Sequence, residues 1–232
     1  MSPRAGFPAS VSKEKAAFDI RMKCNRNNVT SYSSLRQPPG PNMIVKPTDL
    51  LAVKEIVPAR FGDHRGYFSE VFKDSWFREH VANVGFVQDN QSLSREVGTL
   101  RGLHFQLEPF AQGKLVRVLS GAIFDVAVDI RTGSPDYGRW VGVTLTAEEG
   151  NQLWIPAGFA HGFLTLQPDT LIHYKVTAPY SAAHDRGLRW NDPSIGIAWP
   201  DVSVGVILSA KDEVQPFLTD MEPAFRYTGA DK

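Results

Sequence analysis

From Met43 onward the apolar residues of this 232-residue chain recur at every second position, and no other feature narrows its fold so far. Phe124, Val126, Val128 and Ile130 alternate with Asp125, Ala127 and Asp129. Val141, Val143 and Leu145 alternate with Gly142, Thr144 and Thr146, and Ile172, Tyr174 and Val176 with His173, Lys175 and Thr177. Phe159, His161, Phe163 and Thr165 form one row, and Ala160, Gly162, Leu164 and Leu166 the other. Successive side chains of a strand point to opposite faces, so each segment reads as a strand with two unlike faces. Gly113, Gly121, Gly133, Pro135, Pro156, Gly158 and Pro168 punctuate them. Many short strands without repeated helices between them predict an all-β sandwich or barrel. One helix is predicted ahead of the strands, capped by Asp74, carrying Phe77, Val81 and Val84 on one face and ended by Gly85. Short peripheral helices are expected within 200–222, where the period of two fades.

The charge pattern excludes some partners. Lys plus Arg equals Asp plus Glu at 25 each. A general nucleic-acid or membrane-surface binder needs a basic excess, so neither partner is expected. An anionic small ligand needs only local cations. The single cysteine, Cys24, cannot form an intrachain disulfide, which fits a reducing cytoplasm. No apolar run reaches the roughly 18 residues of a membrane helix. No secretory signal pattern opens the chain.

Residues 1–42 stand apart. They hold seven basic and two acidic side chains, and 25–42 are rich in Asn, Ser and Pro. Such a stretch has little apolar surface to offset its ordering entropy. It reads as a disordered N-terminal extension, or as sequence upstream of a true start at Met43, ahead of one domain over 43–232.

Several polar residues are candidates for chemistry. In Arg101-Gly102-Leu103-His104-Phe105-Gln106, Leu103 and Phe105 share one face. Arg101 and His104 are an odd step apart, so a bulge at Gly102 is needed to bring them together. Taken alone, His104 reads more readily as a satisfied core histidine. The six histidines (His64, His80, His104, His161, His173, His184) include no His-x-His pair, and two imidazoles make a poor divalent site, so no metal is expected. There is no Gly-x-Ser-x-Gly elbow and no Gly-rich dinucleotide loop. What remains is a set of acid–base and anion-binding groups: Arg65, Glu70, Gln88, Asn90, Arg101, His104, Lys114, His161, Tyr174 and Asp212. Periodicity leaves open which of them form a site and which are ordinary surface.

The motifs themselves go further. Gly62–Glu70 (GDHRGYFSE), Phe86–Asn90 (FVQDN), Leu100–Gln106 (LRGLHFQ), Gln112–Arg117 (QGKLVR), Phe124–Arg131 (FDVAVDIR), Leu153–Phe163 (LWIPAGFAHGF), Trp190–Asp192 (WND) and Leu208–Asp212 (LSAKD) follow one another over nearly the whole domain. In this order they resemble the dTDP-4-dehydrorhamnose 3,5-epimerase family. The resemblance implies a cupin jelly roll, a homodimer, a dTDP-sugar substrate, and neither metal nor redox cofactor. It implies that His104 is the catalytic base and Asp212 its orienting partner. Tyr174 becomes the acid on the opposite face of the sugar, and Lys114 the cation beside the C4 oxygen. Arg65, Phe68, Glu70, Gln88, Asn90, Arg101, His161 and Lys211 become substrate contacts. Asp185 stands near a position where the family often has Glu, and its shorter reach puts a nucleotide contact there in doubt. Two other readings remain: a 3- or 5-epimerase of a related dTDP-4-keto sugar, and a sugar-binding cupin without catalysis.

Overall fold

In the computed structural model, which describes residues 43–229, the predicted alternation becomes a two-sheet sandwich. The strands are β1 (Met43–Pro47), β2 (Lys54–Pro58), β3 (Phe61–Asp63), β4 (Gly66–Phe68), β5 (Gln88–Ser94), β6 (Leu100–Gln106), β7 (Lys114–Ser120) and β8 (Ala122–Asp129). They continue with β9 (Arg131–Thr132), β10 (Trp140–Thr146), β11 (Gln152–Ile155), β12 (Phe159–Thr165), β13 (Thr170–Val176), β14 (Asp185–Gly187) and β15 (Phe225–Arg226). One sheet has the order β1-β2-β11-β7-β13-β5 and the other β10-β8-β12-β6-β14, with antiparallel neighbours throughout. This is the jelly-roll architecture that the resemblance implied. The expected extension over 1–42 lies outside the described residues.

The inner faces of the sheets meet in the main core. Val116, Val118, Leu153, Ile155 and Ile172 from the six-stranded sheet pack on Ile123, Ala127, Val141, Leu145, Phe159 and Phe163 from the five-stranded one. Both outer faces are covered as well. A helix, α1 (Asp74–His80), lays Phe77 and the following Val81 against Ile56, Leu115 and Trp154. Leu188, Ile195 and Leu218 from the C-terminal segment cover Leu103, Phe105, Val126 and Val128.

That second cover decides which face of β8 turns inward. Asp125, Ala127 and Asp129, the more polar of its two rows, are all fully buried. Ala127 belongs to the inner core, while Val126 and Val128 face outward under the C-terminal segment. The more polar row therefore points into the sandwich.

The helix also differs in detail. Lys73 occupies its N-cap and Asp74 is its first residue, with a carboxylate bound to Arg78 one turn on rather than to a backbone N–H. It ends at His80, well before Gly85. The C-terminal part holds two single turns, α2 (Ala210–Glu213) and a 3-10 turn at Leu218–Asp220. No helix among the described residues is long and apolar enough to cross a membrane.

Candidate active site

A cavity of about 660 Å³ opens between the sheets and gathers most of the candidate residues. Gln88 and Asn90 enter from β5, Arg101 and His104 from β6, Lys114 from β7, His161 from β12, Tyr174 from β13 and Asp212 from α2. The bulge needed to align Arg101 with His104 is present. His161 pairs with His104 and Phe163 with Arg101, so three steps on β6 face two on β12. Gly102 makes this possible. Its φ is +123°, and a Cβ there would lie 2.6 Å from the Gly162 Cα.

His104 is no core histidine. Its side chain is 32% exposed, and Nε2 lies 2.6 Å from Asp212 Oδ1. A carboxylate only accepts, so Nε2 carries the proton of this bond and Nδ1 is the basic nitrogen. Asp212 is itself buried. Burial disfavours its charged form, but the bonds from His104, from the Ser209 hydroxyl at 2.9 Å and from the Gly102 backbone outweigh this and hold its pKa below the usual carboxylate value. Ser209 also caps α2 by accepting from the Asp212 N–H. Upstream, Ile207 bridges in parallel to Thr99, which carries the segment past the start of β6.

Two further groups form the buried end. Lys114 Nζ donates to the His104 carbonyl at 3.2 Å. Burial, opposed by Asp185 and Asp125 and reinforced by Lys211, lowers its pKa to about 8. His161 Nε2 lies 2.7 Å from Asp125 Oδ1. Burial lowers the His161 pKa, and the Asp125 carboxylate works against that. The second oxygen, Asp125 Oδ2, is buried without a hydrogen-bond partner among the described residues. Leaving such an atom unpaired is costly.

Tyr174 faces this group from the other sheet. Burial raises its pKa, with Arg101 opposing, so the phenol is protonated at neutral pH. Nothing among the described residues hydrogen-bonds its hydroxyl. Arg101 spans the gap between the sheets, from β6 to the Ser94 hydroxyl at the end of β5. Gln88 donates to Asn90 at 2.7 Å and accepts from the Tyr180 N–H.

Four expected contacts do not line the cavity. Arg65 pairs with Asp63 on the β3–β4 hairpin, where Phe68 is 69% exposed, and Glu70 follows that hairpin. Lys211 sits at the rim, with Nζ 2.5 Å from Asp185 Oδ2. Asp185 does line the cavity. Sequence reasoning missed Asp125, Tyr180 and Ser209. Asp125 had one signal, a carboxylate repeating in register with Ala127, but a solvent-facing row looks the same. Among the described residues, no group of three or more His, Cys, Asp or Glu side chains is placed to hold a metal ion.

Residues 47–220 match the family model described as dTDP-4-dehydrorhamnose 3,5-epimerase. A dTDP-4-dehydrorhamnose 3,5-epimerase of Sinorhizobium fredii is 62% identical over 80% of this chain and 94% of its own. The crystal structure of dTDP-6-deoxy-D-glucose-3,5-epimerase RmlC from Legionella pneumophila, in complex with dTDP-4-keto-L-rhamnose, superposes with a TM-score of 0.76. It is 43% identical and covers 80% of this chain and 98% of that one. ChmJ, a 3'-monoepimerase from Streptomyces bikiniensis solved with dTDP-quinovose, reaches 34% identity and a TM-score of 0.69, over 75% of this chain and 87% of that one.

Proposed function

The chain belongs to the dTDP-4-dehydrorhamnose 3,5-epimerase family, and on that premise we propose that it converts dTDP-4-dehydro-6-deoxy-D-glucose to dTDP-4-dehydro-L-rhamnose by inverting C3 and C5. The observation that carries this reading is the opposition of acid and base. His104, bonded to Asp212, stands on one sheet, and the protonated Tyr174 on the other, across one cavity.

The chemistry needs that arrangement. A C–H beside a ketone loses its proton only because the anion spreads onto the carbonyl oxygen as an enolate. Nδ1 of His104 takes the proton, and the Asp212 carboxylate stabilises the imidazolium that forms. The Lys114 ammonium, at the buried end with His161, offsets charge developing on the C4 oxygen. Tyr174 then returns a proton from the opposite face, and the centre inverts. Repetition at the second carbon uses the same groups, because both centres flank the one ketone. Each step is a proton transfer, so neither an electron acceptor nor a metal is required by the balance of the reaction.

Arg101, Gln88 and Asn90, which line the cavity, and Lys211, bonded to the cavity-lining Asp185, are in this reading the groups that meet the anionic nucleotide diphosphate. Arg65, Phe68 and Glu70 are substrate contacts of a different kind in this reading. Their hairpin is tied to the turn at 147–148 through Arg60, which donates to the carbonyls of Ala147 and Glu148 and packs over the Tyr67 ring. In a homodimer the hairpin of one copy enters the cavity of the other, which accounts for the exposure of Phe68. The monoepimerase reading has weaker support, since the 3,5-epimerases above share more of this sequence. Incubation of dTDP-4-dehydro-6-deoxy-D-glucose with the protein yields dTDP-4-dehydro-L-rhamnose by NMR. Recovery of unaltered sugar, or a product inverted at one carbon, contradicts the reading.

Lys114 gives the reaction a pH signature. Above about 8 it loses its proton and the charge that stabilises the enolate. The kcat/KM of the wild type, which reports the free enzyme, is expected to fall about tenfold per pH unit there. Lys114→Met should lower kcat by about 10²–10³ and abolish that limb. Stability moves the other way. The unfolded chain holds this proton up to about 10.5, so Lys114's contribution to stability rises with pH between about 8 and 10.5. An alkaline limb at the same pH in Lys114→Met would assign it to another group.

A further inference from the structure

The stretch Trp190-Asn191-Asp192 takes no part in the reaction above and does not line the cavity. Yet Asp192 is a buried carboxylate with both oxygens in use. Oδ1 accepts from the Ser194 N–H at 2.8 Å and the Ser194 hydroxyl at 2.6 Å, and Oδ2 from the Leu218 N–H at 2.6 Å. Burial disfavours its charged form, but these bonds outweigh that and hold its pKa below the usual carboxylate value.

What Asp192 grips is the chain just past the turn that supplies Asp212. Arg189 grips the same stretch. Its backbone N–H donates to the Pro216 carbonyl at 2.8 Å and its Nε to the Gln215 carbonyl at 2.7 Å, while its guanidinium lies 5.1 Å from the centre of the Phe217 ring. Gln215 carries the grip back to the turn, since its Nε2 donates to the Lys211 carbonyl at 3.0 Å. On its other side this anchor is fastened to β6. Leu188 and Leu103, the residue before His104, exchange both backbone hydrogen bonds. Upstream of the turn, the Ile207 N–H donates to the Gly98 carbonyl and the Ile207 carbonyl accepts from the Leu100 N–H. The segment 207–218 is thus a strap tied at both ends beside the strand that carries His104. Between the ties, α2 has four residues, and a single helical turn has no independent stability. The ties decide where its carboxylate stands.

We propose that Arg189 and Asp192 are positioning residues for the epimerisation: by fastening 215–218 beside β6 they hold the Asp212 carboxylate on His104 and so orient the base. This rests on the epimerase reading. It uses only the backbone of Lys211 and leaves that side chain to the substrate.

The test is a double-mutant cycle on the turnover of dTDP-4-dehydro-6-deoxy-D-glucose. Arg189→Met, Arg189→Lys and Asp192→Asn are each made in the wild type and in Asp212→Asn. The amide of Asp192→Asn turns an N–H toward Leu218 or Ser194, so one of those bonds is lost. In the wild-type background, Arg189→Met and Asp192→Asn should each lower kcat about tenfold with KM held within about twofold, because the base is misplaced while the sugar still binds. In the Asp212→Asn background the same substitutions should change kcat by less than about twofold, since the charge they hold in place is already gone. Arg189→Lys keeps a donor for Gln215 and should recover most of the rate.

Equal losses in both backgrounds signal only a smaller folded fraction and overturn the proposal. So does a raised KM with kcat kept, the signature of residues that shape the substrate site instead. Where Asp192→Asn fails to fold, the cycle with Arg189→Met decides alone. An active wild type with unperturbed variants overturns the proposal and leaves the epimerase reading standing. A wild type that epimerises nothing overturns that reading and the anchor with it.

Discussion

Replacing His104 by Ala will remove deuterium uptake at both C3 and C5 and lower kcat by about 10²–10⁴, the usual worth of a general base. A single residue serves both carbons because both flank one ketone, and the cavity holds one imidazole bonded to the buried Asp212. His161 does not substitute for it. Its Nε2 is committed to Asp125 within the sandwich, and burial lowers its pKa despite that carboxylate. Asp212→Asn keeps the shape and removes the charge that stabilises the imidazolium, so its loss should be equal or smaller. The double variant should be no worse than His104→Ala, since groups acting as one unit are not additive. Measured by NMR in deuterated buffer, residual exchange at one carbon in His104→Ala would mean that the two centres use different bases. Losses that multiply in the double variant would break the pairing of His104 with Asp212.

Tyr174→Phe should separate exchange from inversion. Phe keeps the ring packed beside the inner core and removes only the hydroxyl. His104 can then still take a proton and give it back to the same face. Deuterium should enter the recovered substrate at a rate near that of the wild type, while inverted product falls by about 10²–10⁴. If the ring merely packs, exchange and inversion should slow together. The quantity to compare is deuterium incorporated per inverted product, variant against wild type. An unchanged ratio removes Tyr174 from the proton path.

The sequence exposed its sandwich because a period of two survives even in strands buried on both faces. Which face turned inward was not legible. Val126 and Val128 look like core and are core, but of the outer layer under Leu188 and Leu218. Asp125 looks solvated, yet it sits inside the sandwich against His161, and only a partner 36 residues away reveals why it is tolerated there. Gly102 was legible for the opposite reason. An odd step between Arg101 and His104 demands a bulge, and the backbone supplies it where a Cβ would not fit. Asp212 lies 108 residues from His104, so local pattern could not join them, and resemblance alone did. Resemblance also grouped Arg65, Phe68 and Glu70 with the cavity residues, although their hairpin does not line the cavity of its own chain. Asp74 failed as a cap because Arg78, one turn on, competes for its carboxylate.

The opposition of His104 and Tyr174 across one cavity has its most direct test in the wild-type protein. Epimerisation of dTDP-4-dehydro-6-deoxy-D-glucose in deuterated buffer should give a product carrying one deuterium at C3 and one at C5, both centres inverted, because each returned proton comes from a group in exchange with solvent. A product with deuterium at a single carbon, or inversion without uptake of solvent deuterium, would contradict it.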